Sequence, residues 1–373
     1  MIRFSLLFSL LLLQLTVTAQ TIQNTPWQRV VPSDGLPEEV RIQKANNNLD
    51  LVHYNDRYFL AFRTAPSHFA SSKTKLYVVS SEDLATWKFE KEIYLKNDIR
   101  EPRFIVYNNA LFLYYFEGGR KPWKFEPQHL YMSCKELDGQ WTESHRTALD
   151  GYIPWRLREH NGLLYMSAYY GKNAYNKDSV DLRLFTSSNG KDFSPISKAP
   201  QIMHPLGIGE GEFIFDANGD IWGVARSEFD GSHTFHAKKG ALHKWTTKRS
   251  DHKYDSSLLF EKDGQIYLIA RRNLDGDGRY VRKPGKHRKN LLRYSFTKKT
   301  TAIFRLNKAD MSWTHIRDLK STGDTAFPAL LENKDGTFLL MNYSSNIEKR
   351  SRSWIRGQLG KTFIYMCELS LLP

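Results

Sequence analysis

The chain has 373 residues and a formal net charge of +14, with 54 Lys and Arg against 40 Asp and Glu. That length buries a core without disulfide staples, so its two cysteines are not a scaffold. Neither CxxC nor HExxH occurs, which excludes the common zinc signatures, and no cofactor is expected.

The first residues, "MIRFSLLFSLLLLQLTVTAQ", carry one arginine, an apolar run and then small residues. This reads as a secretory signal peptide over 1–19, cleaved after Ala19, with an extracellular or periplasmic destination. No other run is long and apolar enough to span a bilayer. The mature chain, 20–373, stays strongly basic, so an anionic glycan is the expected partner and nucleic acid is not, for want of a recognition motif. In an oxidising compartment Cys134 and Cys367 are available to pair, and a monomer is expected.

A three-part unit then recurs. An aromatic residue opens a strand at Trp27, Trp87, Trp141, Phe193, Trp245 and Trp313, at intervals of roughly 52 to 68 residues. A hairpin of two apolar strands follows, as in "LDLVHYNDRYFLAF", "FIFDANGDIWGVA" and "LLFEKDGQIYLIA". Asn161-Gly162, Asn218-Gly219, Asp263-Gly264 and Asp335-Gly336 mark tight turns, because Gly and Asn accept positive φ cheaply. A further short strand closes each unit, as in "KLYVVSS", "HLYMSCK" and "LRLFTSS", with the weakest match near "KKGALHK". Four strands repeated six times predict an all-β fold: a six-bladed β-propeller of four-stranded antiparallel blades. The N-terminal Trp27 strand completes the last blade and closes the ring. The stretch 273–290 is polar and basic and reads as an inserted loop. Its Asp275 and Asp277 read as turn residues, since the EF-hand pattern is not met. Asn342-Tyr343-Ser344 is a glycosylation sequon, usable in a eukaryotic secretory pathway.

With these units in place, the chain resembles the sialidase (neuraminidase) superfamily of six-bladed propellers. "SSEDLATW" (Ser80–Trp87) and "TSSNGKDF" (Thr186–Phe193) are similar to degenerate copies of that family's Asp-box turn. The resemblance implies a glycosidase site with three arginines, a Tyr nucleophile activated by a Glu, and an Asp acid/base. Glu210 stands nine residues before Gly219 and Arg226 seven after it, and Arg271 stands seven after Gly264, as the family pattern requires. Two pieces depart: "NNNLDLV" replaces the first Arg strand, and Phe327 stands where the Tyr would be. A phenyl ring cannot attack an anomeric carbon, and Tyr343 lies on the returning strand.

Inner strands of a propeller start near its axis, so their first residues converge. Those starts are Asp50; Glu101 and Arg103; Trp155 and Arg156; Glu210 and Glu212; Tyr254 and Asp255; and Asp324. Recurrent carboxylates there suit glycoside hydrolysis, which needs one acid and one base or nucleophile. The expected working pair is Glu210 and Asp255, with Glu101, Asp50 and Asp324 as further carboxylates. Arg63, Arg103, Arg156, Arg226 and Arg271 are the candidate anion binders. Trp155 and Tyr254 are candidates to pack on a sugar ring, or else core residues. The reading is a secreted glycoside hydrolase for an acidic or sulfated glycan. Two alternatives stay open: a non-catalytic glycan-binding or matrix propeller, and a polysaccharide lyase drawing on His53, His68, His160, His204 or His252.

Overall fold

The computed structural model describes residues 21–372, apart from 123, 137–138, 174–179, 197–200, 204 and 206. The expected leader and His204 lie outside the described residues. Six antiparallel sheets follow one another in chain order. Blade one comprises Ala45–Tyr54, Arg57–Ala65, Lys75–Ser81 and Lys88–Ile93 from the axis outward. Blades two to five repeat this order from inner strands Ile99–Tyr107, Tyr152–His160, Ile208–Phe215 and Asp255–Lys262. Blade six starts at Thr325–Glu332 and ends in Thr362–Leu372. The N-terminal strands Thr21–Asn24 and Gln28–Val31 both pair with that last strand, so the first residues and the last share one sheet. No helix among the described residues is long and apolar enough to cross a membrane.

Alternating apolar residues on each strand pack between neighbouring blades. Trp155 of blade three, Phe327 of blade six and Leu49 of blade one belong to one buried cluster. Each such large side chain contributes roughly 1.5–3 kcal/mol by leaving water. The two Asp-box-like stretches fold into the same turn. Ser81 Oγ accepts from the Asp83 and Leu84 amides, and Asp83 Oδ1 from those of Ala85 and Thr86. Ser187 Oγ and Asn189 Oδ1 do the same for residues 189–192. The hydroxyl in the first copy is therefore that of Ser81 rather than Ser80.

Four expectations change. The third strand of blade four is Gly231–Ala237, whose alternation packs Phe235 inward, and "KKGALHK" is the turn beyond it. The basic insertion is not loop throughout: it runs into a helix, α1 (His287–Phe296), because Tyr294 buries against Tyr280. Its Asp275 and Asp277 are ion-paired with Arg293, Arg279 and Arg282. Cys134 and Cys367 are free thiols buried in different core clusters, in blades two and six, so they form no disulfide. The sequon residue Asn342 is 2% exposed, and its amide donates to Thr301 and Thr325 hydroxyls, which leaves no room for a glycan on the folded chain.

Candidate functional site

Every inner strand carries one bulge near its start. Pairing slips between Asn47 and Leu49, Arg100 and Arg103, Pro154 and Arg156, Gly209 and Glu212, Asp255 and Leu258, and Ala326 and Ala329. A bulge frees one residue from the ladder and re-aims its side chain. In five blades that residue is left-handed: Asn48, Glu101, Glu210, Ser256 and Phe327, with φ from 43° to 63°. Such backbone costs on the order of 1–3 kcal/mol per residue and persists where the surroundings hold it. All five side chains line one pocket on the propeller axis. In the remaining blade, blade three, Trp155 turns into the core and packs edge-on against Phe327 at 5.1 Å.

The pocket encloses about 120 Å³. A single water takes about 10–15 Å³ by that measure, so the space suits one sugar ring. Its walls come from second strands and loops: Tyr169, Arg226, Glu228, Arg271 and Tyr343, then His68, Arg100, Phe125, Lys253, Trp354 and Gln358. The last two belong to a short helix, α2 (Trp354–Gln358). A Cβ at Gly357 would sit 2.1 Å from the Asp324 amide nitrogen, so only glycine lets α2 lie this close over blade six.

One ionic cluster organises the blade-four and blade-five side. Arg226 Nε is 2.9 Å from Glu210 and 3.6 Å from Asp255, and its Nη1 meets Glu228. Lys253 Nζ is 2.7 Å from Glu228 and 3.4 Å from Asp255. Arg271 reaches Asp255 at 3.2 Å and donates to Ser256 Oγ and the Thr325 carbonyl. Tyr294 donates to Asp255 as well. Burial opposes ionisation of Asp255, but Lys253, Arg271 and Arg226 outweigh it and hold the carboxyl down at about 2. Burial lowers Lys253 to about 8, against the pull of Asp255.

Glu101 is in the opposite condition. It is 7% exposed, and its Oε2 has no hydrogen-bond partner among the described residues. Burial, reinforced by the nearby Glu210 charge, pushes it up to about 8, so it carries a proton at neutral pH. Glu210 is an ion-paired carboxylate that also accepts the Ser256 amide at 2.5 Å. Two equivalent bulges thus present one protonated and one ion-paired carboxyl to the same cavity.

A third group joins His68 Nδ1 to Asp324 Oδ2 at 2.7 Å. Tyr343 Oη and Trp354 Nε1 donate to the other Asp324 oxygen, each at 3.1 Å. Burial lowers the His68 pKa despite Asp324, which keeps the ring neutral. Burial and the Asp324 charge raise Tyr343 well above a usual phenol.

The sequence-derived candidates therefore separate into levels. Glu101, Glu210, Asp255, Arg226 and Arg271 come together in the pocket. Asp324 sits behind the wall and positions His68, Tyr343 and Trp354. Asp50 lies two residues past its bulge, buried, accepting the Phe104 amide at 2.7 Å. It shares a buried charge layer with Arg103 and Arg156, both of which act on its charge. Arg156 and Arg158 both pair with Glu212, at 2.5 and 3.0 Å. Arg103 lies over the adjoining rings of Trp155 and Phe327, at 4.5 and 4.6 Å. Arg63 is fully buried, pairs with Asp98 at 2.7 Å and bonds the Ser67 and Phe69 carbonyls, so it pins the loop that carries His68. Tyr254 packs edge-on against Phe304 in the core. Asp50, Arg63, Arg103, Arg156, Trp155 and Tyr254 do not line the pocket.

Sequence reasoning missed Arg100, Glu228, Lys253 and Trp354. Glu228 had a signal: it follows Arg226 by two residues, one residue past the end of the strand Ile221–Ser227. Arg100 lies near a strand end, Lys253 on a loop and Trp354 on α2, where no period of two applies. No group of His, Cys, Asp and Glu able to hold a metal occurs among the described residues.

No protein-family model and no curated protein matches the chain in sequence. Solved structures match its fold. A protein of unknown function from Dyadobacter fermentans aligns with a TM-score of 0.64 at 13% identity, over 94% of this chain and 99% of that one. Trypanosoma rangeli sialidase aligns at 0.63 and 11% identity, over 94% of this chain and 60% of the sialidase. Penicillium chrysogenum alpha-L-arabinanase, complexed with arabinobiose, aligns at 0.54 and 11% identity, over 94% and 98%. These likenesses establish a sialidase-like six-bladed propeller fold, and the fold alone.

Proposed function

We propose that the protein is a secreted, monomeric glycoside hydrolase that removes a terminal residue from an acidic or sulfated glycan. The observation that carries this reading is the carboxyl pair at equivalent bulges, Glu101 protonated and Glu210 ion-paired. Environments that hold two carboxyls in different states supply the acid and the base of this chemistry. Glu101 gives its proton to the leaving glycosidic oxygen as the C–O bond breaks. Glu210 supplies the negative charge on the anomeric side, as nucleophile or as base toward water. Asp255, held ionised by three cations, is a poor proton carrier; it fixes Arg226, Lys253 and Arg271 in place. Tyr343 enters the pocket from the returning strand, but its raised pKa makes it a poor nucleophile.

The pocket's size supports an exo-acting enzyme. The lining sets four cations, Arg100, Arg226, Lys253 and Arg271, against the carboxyls of Glu210, Glu228 and Asp255 and the protonated Glu101. The excess positive charge favours an anionic group on the sugar. The test is turnover of a panel of terminal acidic and neutral glycosides by wild type, Glu101→Gln and Glu210→Gln. An activity lost in both variants, with Glu101→Gln recovering on substrates whose leaving group needs no proton, supports the pair. Full activity in either variant overturns it.

A second reading rests on the His68–Asp324 contact. A neutral imidazole backed by a carboxylate is a competent general base, as β-elimination from a uronate requires. An unsaturated, ultraviolet-absorbing product would select the lyase. Retention of a glycan with no turnover would select a binding protein.

A further inference from the structure

A groove of about 670 Å³ runs between the end of α1 and the segment leading into α2. Phe296, Lys298, Arg350, Ser351, Arg352, Ser353 and Arg356 line it. Four of these seven residues are cationic and none is acidic. None of the four cations has an ion-pair partner among the described residues. Elsewhere on this surface the basic residues are commonly paired, as in Lys320 with Glu348 and Arg272 with Asp318. α1 adds no acid to balance them, and it leaves Leu292 and Phe296 62% and 64% exposed.

Four unpaired like charges along one concavity repel each other, and that repulsion falls when a polyanion lies among them. Guanidinium groups match carboxylate and sulfate oxygens in a two-pronged geometry. Ser351 and Ser353 place hydroxyls between the cations, and Phe296 offers an apolar face at the groove's edge. A concave channel accepts a chain, whereas a bilayer presents a broad surface. We infer that the groove binds an acidic polysaccharide, bearing carboxylate or sulfate groups along its length, at a site separate from the catalytic pocket.

The two sites are neighbours. Trp354 lines the catalytic pocket and stacks edge-on against Tyr294 of α1 at 5.5 Å. Lys298 and Ser353, on the two sides of the groove, are bridged backbone to backbone. α2 serves both: Arg356 lines the groove, and Trp354 and Gln358, two residues to either side of it, line the pocket. A polysaccharide held in the groove therefore has its end within reach of the pocket. The groove stands on its own lining, so its binding is measurable without turnover.

The experiment compares the full chain with the variant Arg350→Ala/Arg352→Ala/Arg356→Ala on immobilised heparin and on a polyuronate, over a salt series. Wild type is retained, and the logarithm of its affinity falls linearly with that of salt. The groove variant should keep the wild-type melting temperature, elute at markedly lower salt, and show a slope lower by roughly two to three. The control Lys238→Ala/Lys239→Ala/Lys244→Ala removes equal charge from exposed turns of blade four and should behave as wild type. Equal losses in both variants would assign binding to diffuse net charge and overturn the site. Unchanged retention of the groove variant would overturn it too. Preferential binding of anionic vesicles or RNA over polysaccharide would overturn the ligand class. If the triple variant misfolds, the double variant Arg350→Ala/Arg356→Ala, at two exposed positions, decides the same question. Loss of catalysis in Glu101→Gln with intact heparin binding would leave this inference standing and separates it from the catalytic proposal.

Discussion

The pocket and the buried charge layer beside it draw on the same inner strands, two residues apart in blades one, two and four, yet they treat charge differently. In the buried layer, Glu212 is 0% exposed and answers Arg156 and Arg158 together. Arg103 packs against two aromatic rings. At the pocket level, the bulges turn Glu101 and Glu210 toward a cavity, and Glu101 keeps an oxygen without a partner. A satisfied ion pair fixes a strand in place; a carboxyl left incomplete is available to a substrate. The left-handed backbone at Glu101 and Glu210 belongs only to the second kind.

The largest expected effect tests the pocket side of that contrast. Glu101→Gln should lower kcat by about 10²–10⁴ on a substrate with a poor leaving group, the usual contribution of general acid catalysis. Its stability at pH 7 should rise rather than fall, because Gln folds without the proton uptake that Glu101 needs at that pH. Glu212→Gln should do the reverse. It leaves Arg156 and Arg158 without their counter-charge, a loss of roughly 3–5 kcal/mol in denaturant unfolding. A Glu212→Gln protein of normal stability would break the comparison.

A pH series sharpens it. The folded pKa of Glu101 lies near 8, above its ordinary carboxylate value, so the folded state holds a proton that the unfolded state releases. Its stabilising share is complete at acid pH, declines above the ordinary Glu range, and is gone once pH passes about 8. The slope from this group approaches about 1.4 kcal/mol per pH unit within the window. Glu101→Gln should flatten that part of the stability curve. Activity should fall above pH 8 on the same proton. Lys253 also titrates near 8 and faces the same cavity. An alkaline limb that survives Glu101→Gln but disappears in Lys253→Met would move the assignment to the lysine.

Much of the fold was legible because its signal repeats. Each blade restates an aromatic strand opening and a hairpin with a glycine turn, so one degenerate unit is corrected by five others. The site was legible only where a charged residue stands at the bulge itself, as Glu101 and Glu210 do. The sequence reads Asp50 as a strand start, but the strand begins at Ala45 and its bulge is Asn48, so the Asp50 carboxyl meets the Phe104 amide of blade two instead of the pocket. A bulge adds one residue to a period of two and reverses the faces beyond it. No alternation in the sequence announces where that happens. His68 and Lys253 reach the pocket from loops that Arg63 and Glu228 hold in place, and Trp354 from α2, which Gly357 lets lie close over blade six; those contacts are long-range.

The smallest expected effect concerns Phe327, which belongs to both levels. It lines the pocket and packs against the Arg103 guanidinium, with Trp155 edge-on beside it. Phe327→Leu removes one cation–π face and one aromatic pair, each worth about 0.5–2 kcal/mol, and opens space on the pocket floor. Stability should drop by about 1–3 kcal/mol, and KM should rise several-fold with kcat within about twofold, because the ring shapes the floor and carries no proton. Substituting Tyr adds a hydroxyl at the same left-handed position, where the resemblance to sialidases would place a nucleophile. If Phe327→Tyr raised kcat, or if Phe327→Leu abolished it, the ring would take part in the chemistry and the two levels would not be separable.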